Sequence, residues 1–324
     1  MILTSEQIVS LAPAQLDNLR ASRYRADEQA FAASELDASD LATVRALYTM
    51  LGEVEALAGD GRQGEDRAAL LALTGRHDVD GLLHRVRRIG AAGSSPRVAA
   101  AVHDLRGGAL TTLFVHLAPR RRGLARPDAW RALFLAARDH RKVMRNVLID
   151  LDAAARARDL AFLPHSLADL ARALRAIAGV VRNEPIVVEV ECATDAVIAE
   201  SCVECAAIDR VAYNLMNNAI RHAARPEIFV SLRTLDHDLR VTVANAVAPE
   251  QGALVAAALA RDAAALHGSF TTTGSGQGLR IVSDLVSRAY GVTSTEALVE
   301  HGYVGAKLLD DAFVTWFHWP LGGA

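Results

Sequence analysis

Cysteine is scarce in this 324-residue chain, at Cys192, Cys202 and Cys205. So few, and an odd number, supply no disulfide framework. Cys202 and Cys205 form a C-x-x-C with no second pair after it. A packing role at the start of a helix is expected there, rather than zinc or redox chemistry. Aromatic residues are also few, at 5% against 51% hydrophobic. The apolar mass is Ala, Leu and Val, which suits helices packed on helices. Excess charge is lacking too: the formal net charge is −3, which gives no electrostatic case for nucleic acid or a membrane surface. No run of about 18 uncharged apolar residues is present, so no membrane span is expected. MILTSEQIVSL at the N-terminus has neither a basic start nor an apolar core of signal-peptide type. A cytoplasmic location is the expectation.

What is present begins with helix patterns. Thr4-Ser5-Glu6 resembles a cap before Ile8, Leu11 and Leu16, and Ser39-Asp40 precedes Leu41, Val44, Leu47, Leu51, Val54 and Leu57. A turn-rich break at Gly59-Asp-Gly-Arg-Gln-Gly64 leads to a third helix over 65–89, interrupted near Gly75. Ala91-Ala-Gly-Ser-Ser-Pro96 reads as a linker. Residues 1–92 are therefore expected to form an all-helical module. Its duty is either packing and dimer support or input, through a ligand or a partner protein.

Residues 97–162 read as a helical hairpin. Val98, Val102, Leu105, Ala109 and Thr112 keep one face, and His103 stands one step off it beside Asp104. Gly107 and Gly108 follow, each costing about 1 kcal/mol relative to Ala inside a helix. After the basic turn Pro119-Arg-Arg-Arg-Gly-Leu-Ala-Arg-Pro127, one helix is expected over 128–160. Trp130, Ala137, Met144 and Leu151 form one series at seven-residue steps, and Leu133, His140, Val147 and Ala154 another. Two such helices leave a seam unburied, so a homodimer forming a four-helix bundle is expected. A lone histidine on a helix is most often merely solvated, and that bland reading applies to His103 taken alone. His140 on the seam, and similarly His116, suit a packing role.

Residues 163–324 mix helix and strand. A helix over 167–181 precedes strands at Pro185-Ile-Val-Val-Glu-Val190 and Ala196-Val-Ile-Ala199. In Ile208-Asp-Arg-Val-Ala-Tyr-Asn-Leu-Met-Asn-Asn-Ala-Ile-Arg-His222, Asn214 and Asn218 lie four apart on one helix face. Carboxamide oxygens so placed can coordinate hydrated Mg2+ and steer phosphates; the bland reading is two surface asparagines. Paired strands follow at 227–232 and 239–244. Thr271-Thr-Thr-Gly-Ser-Gly-Gln-Gly-Leu-Arg-Ile then runs Gly274, Gly276 and Gly278 into a helix. Such a segment can present backbone N–H groups to phosphate. It is neither a P-loop nor a dinucleotide fingerprint. Ala306-Lys-Leu-Leu309 and residues 313–320 are expected to close a sheet.

Taken together, these motifs resemble the core of bacterial sensor histidine kinases over about 97–320. His103-Asp-Leu-Arg106 resembles the phosphoacceptor box, Asp209 to His222 the asparagine box, and Gly274-Ser-Gly-Gln-Gly-Leu279 the second glycine box. The resemblance implies an α+β multi-domain chain. Its parts would be an N-terminal all-α module, an antiparallel four-helix-bundle dimerisation hairpin, and a C-terminal α/β sandwich of the kind shared with gyrase, Hsp90 and MutL. It implies ATP and Mg2+ bound by Asn214, Asn218, Asn245, Gly274, Gly276, Gly278 and Leu279, with Asn218 on the metal. His103 would attack the γ-phosphate with Asp104 as base, and the phosphoryl group would pass to a response regulator receiver domain. Two departures stand out. Gly108-Ala109-Leu110 replaces the usual proline before leucine, and Asn245-Ala-Val-Ala-Pro-Glu250 replaces the first glycine box, whose aspartate receives the adenine amino group. Asn245 still offers a carbonyl oxygen. The lid between Glu250 and Thr273 reads as short and Ala-rich. Three readings follow: a histidine kinase, a histidine phosphotransfer protein whose ATPase-like domain serves for docking, and an anti-sigma-type binding ATPase.

Overall fold

A computed structural model describes residues 7, 10–11, 30–59, 67–89, 105, 127–177, 180–181, 184–192, 196–235, 237–264, 277–292 and 294–321. His103, Asp104, Gly274, Gly276 and His116 lie outside them, as does the 91–96 linker. The chain divides into two compact units, one of Ala26–Ala161 and one joining Met1–Arg25 to Phe162–Ala324.

The first unit is helical. Helix α1 (Ala38–Gly59) is capped by Asp37, whose carboxylate accepts from the Asp40 amide at 2.7 Å. Ser39, expected at the cap, lies inside the first turn instead. Val44, Leu47, Met50, Leu51 and Val54 are all at most 1% exposed. The expected third helix is two, α2 (Arg67–Arg76) and α3 (Val79–Val86). The break falls not at Gly75 but at Asp78, which turns left-handed (φ 43°) and accepts from Gly81 N at 3.2 Å.

Helix α4 (Pro127–Val147) buries Leu133, Ala137, His140 and Met144 on one face. The single helix expected over 128–160 is therefore broken, and α5 (Ala153–Leu160) restarts behind an Asp152 cap. The cause is competition for backbone groups from a segment far away in sequence. Phe31 N donates to Val147 O at 2.9 Å, Ile149 N to Phe31 O at 3.1 Å, and Ala33 N to the Asp150 carboxylate at 2.8 Å. The break also rephases the seam, leaving Ala154 exposed. The buried face of α4 packs on α1, and Leu105 joins the same core. The seam is thus filled within one chain and does not by itself call for a second.

A polar joint ties these helices. Arg145 grips Asp159 with two hydrogen bonds, at 2.5 and 2.7 Å, and Asn146 donates to the same carboxylate at 3.1 Å. Tyr48 Oη donates to Asp152 at 2.7 Å, Arg141 lies over the Tyr48 ring, and Arg141 also pairs with Glu55 at 2.6 Å.

The second unit is built on a five-stranded sheet. Its strands are β4 (Val187–Cys192), β6 (Glu227–Leu235), β7 (Asp238–Ala246), β8 (Val304–Leu309) and β9 (Ala312–Pro320), in the order β4-β6-β7-β9-β8. The β4–β6 pair is parallel and the others antiparallel. One face carries Ile228, Val230, Leu232, Val241, Val243 and Phe317 into a core with α6 (Leu167–Arg175), α7 (Cys202–His222) and α9 (Gln277–Tyr290). This is the sheet-and-helix layering expected. The helix expected over 167–181 is shorter, because Val180–Val181 (β2) pairs with Glu184–Pro185 (β3). The strand expected at 196–199 is β5 (Val197–Ser201), and it pairs with β1 (Phe162–Ser166) outside the main sheet. Among the described residues no helix is long and apolar enough to cross a membrane.

On the other face of the sheet Arg240 of β7 and His318 of β9 are cross-strand neighbours, at 1% and 0% exposure. Neither His318 ring nitrogen has a hydrogen-bond partner among the described residues. Burial, and secondarily Arg240, push His318 down to about 3. An unfolded histidine takes a proton near its ordinary value of about 6.5, whereas the folded one does not until far lower. Stability is therefore expected to fall as pH drops from about 6.5 towards 3, by up to a few kcal/mol. Urea unfolding between pH 7 and 4 measures this. His318→Gln should flatten the acid limb, and an unchanged limb would show that His318 does not cause it.

Candidate nucleotide site

Helix α7 positions the asparagines. Ser201 caps it by accepting from Glu204 N at 3.3 Å, and the Glu204 carboxylate reaches back to accept from Glu200 N, just before the cap, at 2.9 Å. The same carboxylate receives Trp319 Nε1 at 3.3 Å, tying the helix start to β9. Cys202 and Cys205 occupy this first turn as half-buried side chains that form no disulfide. Ala207, Ile208, Val211, Ala212, Leu215, Met216 and Ala219 face the core. Asn214 and Asn218 are left half-buried on the remaining face. Asn214 Nδ2 donates to Arg210 O at 2.8 Å, one turn back along the helix. His222, at the end of the helix, is held below the ordinary histidine range by burial and then by Arg221.

Gly278 meets Asn218 directly. A Cβ built at Gly278 would lie 2.9 Å from Asn218 Nδ2 and 3.0 Å from Oδ1. The glycine thus lets the Asn218 carboxamide lie where any Cβ would push it aside. Gly278 is not a loop residue, since α9 already begins at Gln277. Leu279 follows in that first turn, half-buried against the core. The helix start and the asparagine helix are thus brought together, as the motif order in the sequence implies.

Asn245 lies near the end of β7, on the helix-facing side of the sheet, paired with Ile228 and Phe313. It is 2% exposed, and its Nδ2 donates to Ala246 O at 3.2 Å. That bond fixes the amide orientation and leaves Oδ1 as an acceptor, the function a carboxylate would offer to an amino group. After Val247 the chain enters α8 (Pro249–Arg261), with Pro249 at its first position. The region expected as a short lid thus begins with a 13-residue helix. Among the described residues no three His, Cys, Asp or Glu side chains gather as a metal site.

Sequence reasoning missed the Glu204–Trp319 tie and the Arg145–Asp159–Asn146 joint. Glu204 stands three residues after Ser201, the spacing of a capping box, and that signal could have been found. The others are pairings across distant sequence with no local signal.

Residues 205–311 match the family model described as histidine kinase-, DNA gyrase B-, and HSP90-like ATPase. That segment of the second unit is therefore similar to the ATPase domains of this class, and the chain resembles a sensor histidine kinase core. Among solved structures, the catalytic domain of histidine kinase ThkA in a nucleotide-free form is similar at 19% identity, over 50% of this chain and 97% of that one, with a TM-score of 0.31. Full-length ShkA in complex with AMPPNP is similar at 17% identity over 76% and 46% of the two chains, with a TM-score of 0.34. The histidine kinase domain of the blue-light activated kinase EL346 from Erythrobacter litoralis is similar at 16% identity over 75% and 95%, with a TM-score of 0.35. No curated protein matches the sequence.

Proposed function

We propose that the chain is a histidine kinase that transfers the γ-phosphoryl group of Mg-ATP to His103 and then to an aspartate of a response regulator receiver domain. The observation that carries this reading is the approach of Gly278 to the Asn218 carboxamide. It joins a phosphate-cradling helix start to an oxygen ligand suited to magnesium. Asn214 would steer phosphate oxygens, and Asn245 Oδ1 would accept from the adenine amino group. Gly274, Gly276 and Leu279 would complete the cradle. Neutral imidazole is nucleophilic near pH 7, and Asp104 would assist as base. The protein's contribution is chiefly positioning and charge neutralisation.

Incubation with labelled ATP and Mg2+ tests the proposal. Acid-labile label is expected on the wild-type chain and none on His103→Ala. A second reading is a histidine phosphotransfer protein whose ATPase-like unit docks the regulator. It is favoured by the direct entry from Val247 into α8, where the family carries glycines. Absence of ATP binding, with phosphate accepted by His103 from a phosphorylated receiver domain, would replace the first reading with the second. Homodimerisation through the hairpin belongs to the proposal. Because the apolar face of α4 is already packed on α1, the dimer would have to use another face. Light scattering that finds a monomer at micromolar concentration would remove it.

A further inference from the structure

A sheet with helices on one face must either show its other face to water or have it covered. On the reverse face of this sheet Phe229, Ser231, Arg240, Thr242, Ala244, Val314 and His318 are all at most 3% exposed. That face is covered, although α6, α7 and α9 lie on the opposite side. Leu11, itself only 6% exposed, clusters there with Phe229, Ala244, Ala312 and Val314, against which Leu309 and Trp316 pack. Within this cluster Leu11 is the residue that comes from outside the sheet. Just before it, Ser10 Oγ donates to Gln7 O at 2.7 Å. The compact unit itself joins Met1–Arg25 to Phe162–Ala324 across the whole helical unit.

We propose that Leu11 is a clasp on the reverse face of the ATPase-like sheet, holding β7 from behind the nucleotide site. Side chains alternate along a strand. Ala244, beneath Leu11, is thus the immediate neighbour of Asn245, which points to the other side. Loss of the clasp loosens β7 where it carries Asn245. The link to nucleotide binding rests on the function proposed above; the clasp itself does not.

The test uses the full chain in a Trp130→Phe background, so that Trp316 reports against fully buried Trp319. Leu11→Asp is expected to increase acrylamide quenching of Trp316 and to weaken ATP binding, measured calorimetrically, on the order of fivefold or more. Leu11→Met should restore both. Leu11→Ala, with an intermediate effect, serves if the aspartate variant loses its far-UV circular dichroism. Unchanged Trp316 quenching in both Leu11→Asp and Leu11→Ala would overturn the clasp. Exposed Trp316 with unaltered ATP affinity would overturn its coupling to Asn245. If the wild-type chain binds no ATP, the kinase proposal and the coupling fall together, and Trp316 still decides whether the clasp exists.

Discussion

Gly278→Ala is expected to abolish ATP-dependent labelling of the chain while leaving it folded. The new Cβ would sit 2.9 Å from Asn218 Nδ2 and 3.0 Å from its Oδ1. The atoms it meets are the end of a flexible side chain, so the carboxamide swings aside and the backbone stays. Helix propensity does not oppose the change, since Ala is at least as good a helix former as Gly. The cost falls on function. Misplacing a positioned group by about 1 Å costs on the order of 10²-fold in rate. The variant should therefore keep or raise its unfolding midpoint while labelling falls by roughly that factor. Asn218→Ala, which removes the same oxygen, should match it. Wild-type labelling in Gly278→Ala would show that the Asn218 carboxamide does not take part.

Asp159→Ala is expected to produce the largest loss of stability in the helical unit. Arg145 and Asp159 are 11% and 6% exposed and share two hydrogen bonds. Burial opposes the Arg145 charge, and Asp159 more than offsets it, holding the guanidinium above its ordinary range. Removing the carboxylate leaves a buried, unpaired cation and strips Asn146 of a partner, at a cost of about 3–5 kcal/mol. Denaturant unfolding measures the loss. The double variant Arg145→Met/Asp159→Leu should recover most of it, because the cost comes from the stranded charge. Equal loss in the single and double variants would mean that packing, rather than charge pairing, holds the joint.

Much of the second unit was legible because its signals are local. The paired strands and the asparagine helix follow from apolar periodicity, and Gly278 stands where a Cβ would strike Asn218. The Leu148–Asp152 break was not legible. The seven-residue pattern runs through it without interruption, and the cause is Phe31, more than a hundred residues away in sequence. Asp150 and Asp152, which take up backbone amides there, read as ordinary helix-surface acids when seen alone. The partner of the α4 seam was hidden for a related reason. An apolar face states that something covers it, and α1 and a second chain satisfy that statement equally. The hairpin carrying His103 rests on its motif alone.

The cluster of Leu11 with Val314 has a consequence for how the molecule is made. About 300 residues separate the two in the chain. At roughly 5–20 residues per second, the ribosome delivers Val314 about 15–60 s after Leu11. Over that interval the helical unit, bounded by Ala26 and Ala161, can finish folding with both of its neighbours still unpaired. Leu11 then waits as an exposed apolar side chain until β9 emerges, and closure of the reverse face cannot precede synthesis of Val314.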